Sequence, residues 1–205
     1  MSQRNLVKLS EEALGNLYLA KKHSVSEISK LFHCSEQKTN YWILKYKIPK
    51  RSISDAIYAK RNPQGDPFTF QPPASIPNAI LFGVGLGLYW GEGTKRNRHA
   101  IRLGNTDPKL IKAFMIYLRK TFLINETKLR FGLQIFSDMS PKTALSFWVK
   151  ELGVRRAQFQ KVIVTPARSL GTYRQKTKHG VLTVYYHNKK LRDIVCKLIE
   201  EYKPE

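Results

Sequence analysis

The residues with the most pointed chemistry in this 205-residue chain lie between Gly83 and Gly93. The run Ala79-Ile80-Leu81-Phe82-Gly83-Val84-Gly85-Leu86-Gly87-Leu88-Tyr89-Trp90-Gly91-Glu92-Gly93 is apolar and glycine-rich. A glycine in a helix interior costs about 1 kcal/mol relative to alanine, so several in one helix need a reason. Gly83, Gly87 and Gly91 recur every four residues, which sets them on one helical stripe bare enough for a second backbone to approach. Glu92 stands at the end of that stripe. Two such helices crossing along it would bring two Glu92 carboxylates together, a pair that attracts a divalent cation or shares a proton. Nucleotide-binding loops do not fit: a dinucleotide fingerprint from Gly83 or Gly85 would need glycine at Leu88 or Trp90, and no Gly-Lys-Ser/Thr follows.

The charge balance supplies the partner. Thirty-six Lys and Arg against 15 Asp and Glu give a net charge of +21. An excess of that size points to a polyanion, nucleic acid before an anionic membrane, and not to an enzyme of neutral metabolites. With 42% apolar and 11% aromatic residues the chain can build a core. Cys34 and Cys196 are far apart, which excludes a Cys-rich zinc site or a disulfide framework and fits free thiols in a reducing cytoplasm. The five histidines (His23, His33, His99, His179, His187) form neither a His-Asn-His core nor a zinc spacing. The N-terminus lacks an apolar signal region, and the stretch from Ile76 to Gly91 is too short to span a bilayer. A soluble, cytoplasmic, nucleoid-associated protein is expected.

Five of the ten prolines fall between Pro63 and Pro77, so residues 59–76 read as an extended, semi-rigid linker. It separates a piece at 1–58 from one at 77–205. Both are basic: residues 1–60 hold 11 basic and 5 acidic side chains, leaving 25 and 10 for the rest. In the first piece, Ser10-Glu11-Glu12 opens a helix with Leu14, Leu17 and Tyr18 on one face. Ser24 caps a short helix from Val25 to Phe32, and Ser35 caps a third that buries Thr39, Trp42 and Ile43 and stops before Pro49. The stretch SVSEISKLFHCSEQKTNYWILKYKIP resembles the helix-turn-helix of resolvases and small transcription factors, with His33-Cys34 where glycine is commonest. In the major groove, Glu36, Gln37, Lys38, Asn40 and Tyr41 would face base edges, Gln37 and Asn40 suited to adenine.

In the second piece a basic turn, Thr94 to His99, leads to a strand from Ala100 to Leu103. Asn105-Thr106-Asp107-Pro108 then starts a helix to Phe122, with Leu110, Ile111, Phe114, Tyr117 and Leu118 inward. A strand (Lys128 to Phe136), a helix (Pro141 to Leu152), two strands (Phe159 to Thr165, Val181 to His187) and a helix (Lys189 to Tyr202) complete it.

The segment GLGLYWGEG, Gly85 to Gly93, resembles the signature helix of LAGLIDADG homing endonucleases. Gly87, Leu88 and Gly91 fall on its glycine, leucine and alanine positions, Glu92 on its last acid and Gly93 on its closing glycine. Trp90 stands at its first acid, and Gly85-Leu86 at its opening Leu-Ala. The resemblance implies an α+β fold, with a motif helix, a DNA-facing antiparallel sheet and packing helices, behind a small all-α helix-turn-helix domain. It implies a homodimer through Gly83, Gly87 and Gly91, and Mg²⁺ held by two Glu92 with the Gly91 or Gly93 carbonyl nearby. Lys161 or Lys178 would be the auxiliary cation at the scissile phosphate. The sheet and its loops would contact double-stranded DNA through Lys95, Arg96, Arg98, Arg102, Lys128, Arg130 and Gln134. A second basic run, Arg168, Tyr173, Arg174, Gln175, Lys176 and Lys178, would hold phosphates. The expected activity is site-specific, metal-dependent phosphodiester hydrolysis. A non-cleaving transcriptional regulator and an RNA-binding maturase-like factor could be built from the same parts.

Overall fold

A computed structural model describes residues 9–167 and 178–202. The chain divides into two units, Met1–Asp66 and Pro67–Glu205. Among the described residues no helix is long and apolar enough to cross a membrane.

The first unit is helical. Ser10 accepts from the Ala13 amide and starts α1, Glu11–Gly15, which widens into a π-helical turn, Asn16–Ala20. Ser24 and Glu27 form a reciprocal capping box at the head of α2, Val25–Leu31. Ser35 accepts from the Lys38 amide and caps α3, Glu36–Lys45. Between α2 and α3 the chain reverses at His33, whose φ of 49° is the left-handed conformation that glycine adopts most cheaply. Leu9, Leu14, Tyr18, Ile28, Ile43 and Ile48 form this unit's core. Trp42, expected inside, is half-buried, because its ring stacks on Tyr46 at the core's margin. Arg51 ties the unit together: its guanidinium donates to the Lys22 and His23 carbonyls and lies 4.4 Å over the Tyr18 ring. Helix α4, Ile53–Arg61, follows and has no buried residue.

The expected linker at 59–76 needs correction at both ends. Helix α4 runs through its first residues, and Pro67 to Gln71 belong to the second unit. There the Thr69 and Gln71 amides donate to the Phe122 and Thr121 carbonyls, Phe68 is buried, and Phe70 stacks on Phe122. The aromatic side chains between the prolines dock this stretch.

The second unit is a two-layer α+β arrangement. Its order is α5 (Ile76–Glu92), β1 (Ile101–Asn105), α6 (Pro108–Phe122), β2 (Leu129–Phe136), α7 (Pro141–Leu152), β3 (Ile163–Thr165), β4 (Val181–Tyr186) and α8 (Lys189–Tyr202). The strands form one sheet in the order β1-β4-β2-β3. β4 runs antiparallel to β1 and β2, whereas β3 is parallel to β2, so the sheet is mixed and not antiparallel. Helix α7 is the reason: it carries the chain back along the sheet before β3 begins. The strand expected from Phe159 is shorter, with Phe159 making only an isolated bridge to Phe131.

Alternation makes the sheet one-sided. Ile101 and Leu103, Leu129, Phe131, Leu133 and Ile135, and Leu182, Val184 and Tyr186 point into a core shared with the four helices found among the described residues. Helix α6 buries Ile111, Phe114, Tyr117 and Leu118, as its periodicity requires. Helix α5 contributes Phe82, Gly85, Leu86 and Tyr89. Gly85 sits against Tyr117, where an added Cβ would lie 2.0 Å from Cγ of that ring. Gly85→Ala should therefore lose about 3 kcal/mol or fail to fold, the upper range for overpacking. Gly83→Ala, with nothing within 4 Å of its added Cβ, should gain about 0.5–1 kcal/mol from helix propensity. Urea unfolding of the two variants beside the parent checks the contrast.

Candidate nucleic-acid interface and carboxylate site

The face of the sheet turned away from the helices carries Arg102 on β1, Arg130, Gly132 and Gln134 on β2, and Thr183 and Tyr185 on β4. Register makes Arg102, Tyr185 and Arg130 direct neighbours across three strands. The Arg102 guanidinium lies 5.1 Å from the Tyr185 ring centroid, and Arg130 donates to the Thr127 and Leu129 carbonyls. Gln134 donates to the Thr165 hydroxyl on β3. His187, just beyond β4, stacks parallel to Tyr185. Burial, then the Arg102 and Arg130 charges, hold the His187 pKa below the ordinary imidazole value, so the ring is mainly neutral at neutral pH.

The basic turn after α5 borders this face at β1. It is pinned at several points. The Thr94 amide donates to the Arg102 carbonyl, Lys95 Nζ caps the Trp90 carbonyl at the end of α5, and the His99 amide donates to Asn97. From α8, Arg192 donates to the Lys95 carbonyl at 2.6 Å while bonding Asp193 at 3.1 Å. Arg96 and Arg98 remain exposed.

Arg102, Arg130 and Gln134 thus share one face, with Lys95, Arg96 and Arg98 in the turn that enters it and Lys128 half-buried at the start of β2. Arg168, Tyr173, Arg174, Gln175 and Lys176 lie outside the described residues. In the first unit, Glu36, Gln37 and Tyr41 are exposed along α3, with Lys38 and Asn40 half-exposed. Sequence reasoning passed over Lys45, which lies 4.7 Å over the Trp42 ring, and over Tyr185 and His187. Alternation within β4 places Tyr185 on the open face, a signal that the sequence did carry.

Glu92 is the last residue of α5 and is exposed. Gly83, Gly87 and Gly91 are exposed with nothing within 4 Å of an added Cβ, and Ile76, Ile80, Val84 and Trp90 are exposed on the same helix. Among the described residues no three His, Cys, Asp or Glu side chains gather at a possible metal site. Lys178 is exposed in the turn leading to β4. Lys161 is exposed beside β3, at the opposite sheet edge from Gly93, which bridges Leu103 of β1. Four inter-strand spacings, about 19 Å, separate these positions, so Lys161 and Glu92 of one chain do not meet.

No family model matches this chain, and the comparisons with curated proteins and with solved structures found no match.

Two outcomes are expected of the open face. Replacing both Arg102 and Arg130 by alanine should lower the salt slope of duplex DNA binding by about two, near 0.9 per lost phosphate contact; anisotropy titrations over a salt series measure this. His187 should make affinity rise on acidification, since protonation adds a third positive charge beside the two arginines. Its lowered pKa has the opposite sign for the free protein. Stability is unaffected above the unfolded-state value near 6.5 and falls as pH drops through the folded-state value. His187→Gln should flatten both profiles, read by anisotropy and thermal unfolding between pH 8 and pH 5, a range spanning roughly the imidazole titration.

Proposed function

We propose that the protein is a double-stranded DNA-binding endonuclease of LAGLIDADG-like type, with a helix-turn-helix reading head formed by α2 and α3. The observation that carries this reading is the composition of the exposed side of α5: three open glycines and four large apolar residues, ending at an exposed carboxylate. Water is a poor solvent for Ile76, Ile80, Val84 and Trp90, and bare glycines let a second helix backbone come close. A second copy of α5, crossing along this stripe, covers the apolar surface and brings two Glu92 carboxylates side by side.

Such a pair supplies hard oxygen donors, to which the Gly91 carbonyl adds another. It is among the last four carbonyls of α5, which have no partner within the helix. That donor set fits Mg²⁺, which when bound would activate water and stabilise the departing oxygen of a phosphodiester. Among the described residues no three metal-ligating side chains gather within one chain, so the partner's Glu92 would complete the site. The sheet's open face and the turn at Lys95, Arg96 and Arg98 hold DNA by its phosphates, and Gln37, Lys38 and Asn40 on α3 read base edges. Joining two binding units in one chain raises the effective concentration of the second once the first is seated.

A cleavage screen of a large DNA pool, read by end sequencing, tests the activity. Recurrent ends at one near-palindromic site with Mg²⁺ are expected, absent with Glu92→Gln although binding persists. Gly87→Leu should convert the dimer to monomer by sedimentation and abolish cleavage with it. Site-enriched binding without ends under every condition would instead identify a non-cleaving regulator.

A further inference from the structure

We infer that the open face of the sheet holds an unpaired nucleobase, stacked on His187 beside Tyr185, with flanking phosphates on Arg102 and Arg130. This rests on the nucleic-acid reading above and names a ligand state that duplex reading does not require. The two rings are parallel to within 7°, with centroids 5.8 Å apart, on consecutive outward positions of one chain segment. The Tyr185 ring is fixed from two sides. Arg102 lies over it from β1, and on β2 it leans against Gly132, where an added Cβ would come within 2.8 Å of Cε2. Glycine at 132 thus gives the ring its resting place. A base slipped between the rings would need two van der Waals contacts, about 7 Å in all, more than the rings allow. The outer face of His187, which is exposed, is the accessible platform.

The surroundings suit one nucleotide with its backbone. Arg102 and Arg130 flank Tyr185 in register, one strand to either side, and among the described residues none of the outward strand positions is acidic. Desolvation of its inner side, then those two arginines, lower the His187 pKa, which favours the uncharged ring. Bases within a duplex are already stacked on one another and offer only their edges, so a solvent-facing ring pair gains nothing from them. An unstacked base offers a whole π face, and aromatic platforms between cations are how proteins hold such bases.

The test uses the full chain and fluorescein-labelled oligonucleotides of about a dozen nucleotides, within the usual range of single-strand sites. One sequence is supplied as single-stranded DNA, as RNA and as duplex DNA, and binding is read by anisotropy. Both single strands are expected to bind, the tighter one identifying the preferred sugar. His187→Ala should weaken single-strand binding about five- to a hundredfold, the range for losing one base–aromatic stack, and Tyr185→Leu, which removes the ring supporting His187, should weaken it less. His187→Phe and Tyr185→Phe should keep it, and at about pH 8, where the imidazole carries no charge, duplex binding should change less than about twofold in all four. Equal losses in the phenylalanine and aliphatic variants would overturn the inference, since they would mean that the polar atoms act. The exposed position of His187 keeps the test available should Tyr185→Leu not fold. Duplex binding without single-strand binding removes this inference alone; binding of neither removes the nucleic-acid reading beneath it.

Discussion

Helix α5 has two faces that glycine keeps bare, and the contact between Gly85 and Tyr117 decides which of them is used inside the molecule. The ring occupies the space where any side chain at position 85 would stand. That fixes the rotation of α5 against α6, buries Phe82, Leu86 and Tyr89, and leaves Gly83, Gly87 and Gly91 outside. Every later feature depends on that choice. It sets Glu92 in solvent at the helix end, starts the basic turn at Thr94, and delivers the chain to β1 beside the sheet. Tyr117 accepts a cost in exchange, because burial pushes its phenol well above the ordinary range. A close backbone approach here outweighs the preference of that hydroxyl for water.

The sheet is the second constraint, and β4 is its pivot. It pairs with both β1 and β2, so the side chains on its outward positions have neighbours on either side. Inward it presents Leu182, Val184 and Tyr186, all fully buried. Outward it presents Thr183 and Tyr185 between the arginines of the flanking strands. A row of cation, ring and cation across three strands gains from the interaction of guanidinium with the aromatic face. It also brings two like charges near each other, a cost that an anion removes.

How much of this the sequence made readable depended on whether a local signal existed. Ser24 and Ser35 mark helix starts, and Pro108 and Pro141 stand at first helical positions; in each case the local chemistry alone determines the element. The inward faces of α6 and of β2 followed from periodicity in the same way. The failures lie where tertiary contacts decide. Prolines between 63 and 77 dominate the local signal, yet Phe68 and Phe70 dock that stretch through partners some fifty residues away. The direction of β3 depends on where α7 delivers the chain, which no residue of β3 encodes. The stripe of Gly83, Gly87 and Gly91 could be read from spacing, but the role of Gly85 could not, because its reason is Tyr117 on another helix.

Cations of the second unit differ by layer in how they are paired. The acids of the second unit that form ion pairs do so on the helical side or at its connections: Glu151 with Lys112, Glu126 with Arg119, Asp193 with Lys189 and Arg192, Glu201 with Lys197. Asp107 is engaged in capping α6. The outward positions of the strands hold Arg102 and Arg130 and no acid. The ion-paired acids engage Lys112, Arg119, Lys189, Arg192 and Lys197, whereas among the described residues no carboxylate pairs with Arg102 or Arg130. Exposed pairs of this kind add little stability, near 0–1 kcal/mol each. What distinguishes the outward strand positions is local: Arg102 and Arg130 stand there with no acid on the described strands beside them. A phosphate that reaches this face meets two guanidiniums with no carboxylate competing for them, and ordinary salt screens more distant charges within about 8–10 Å.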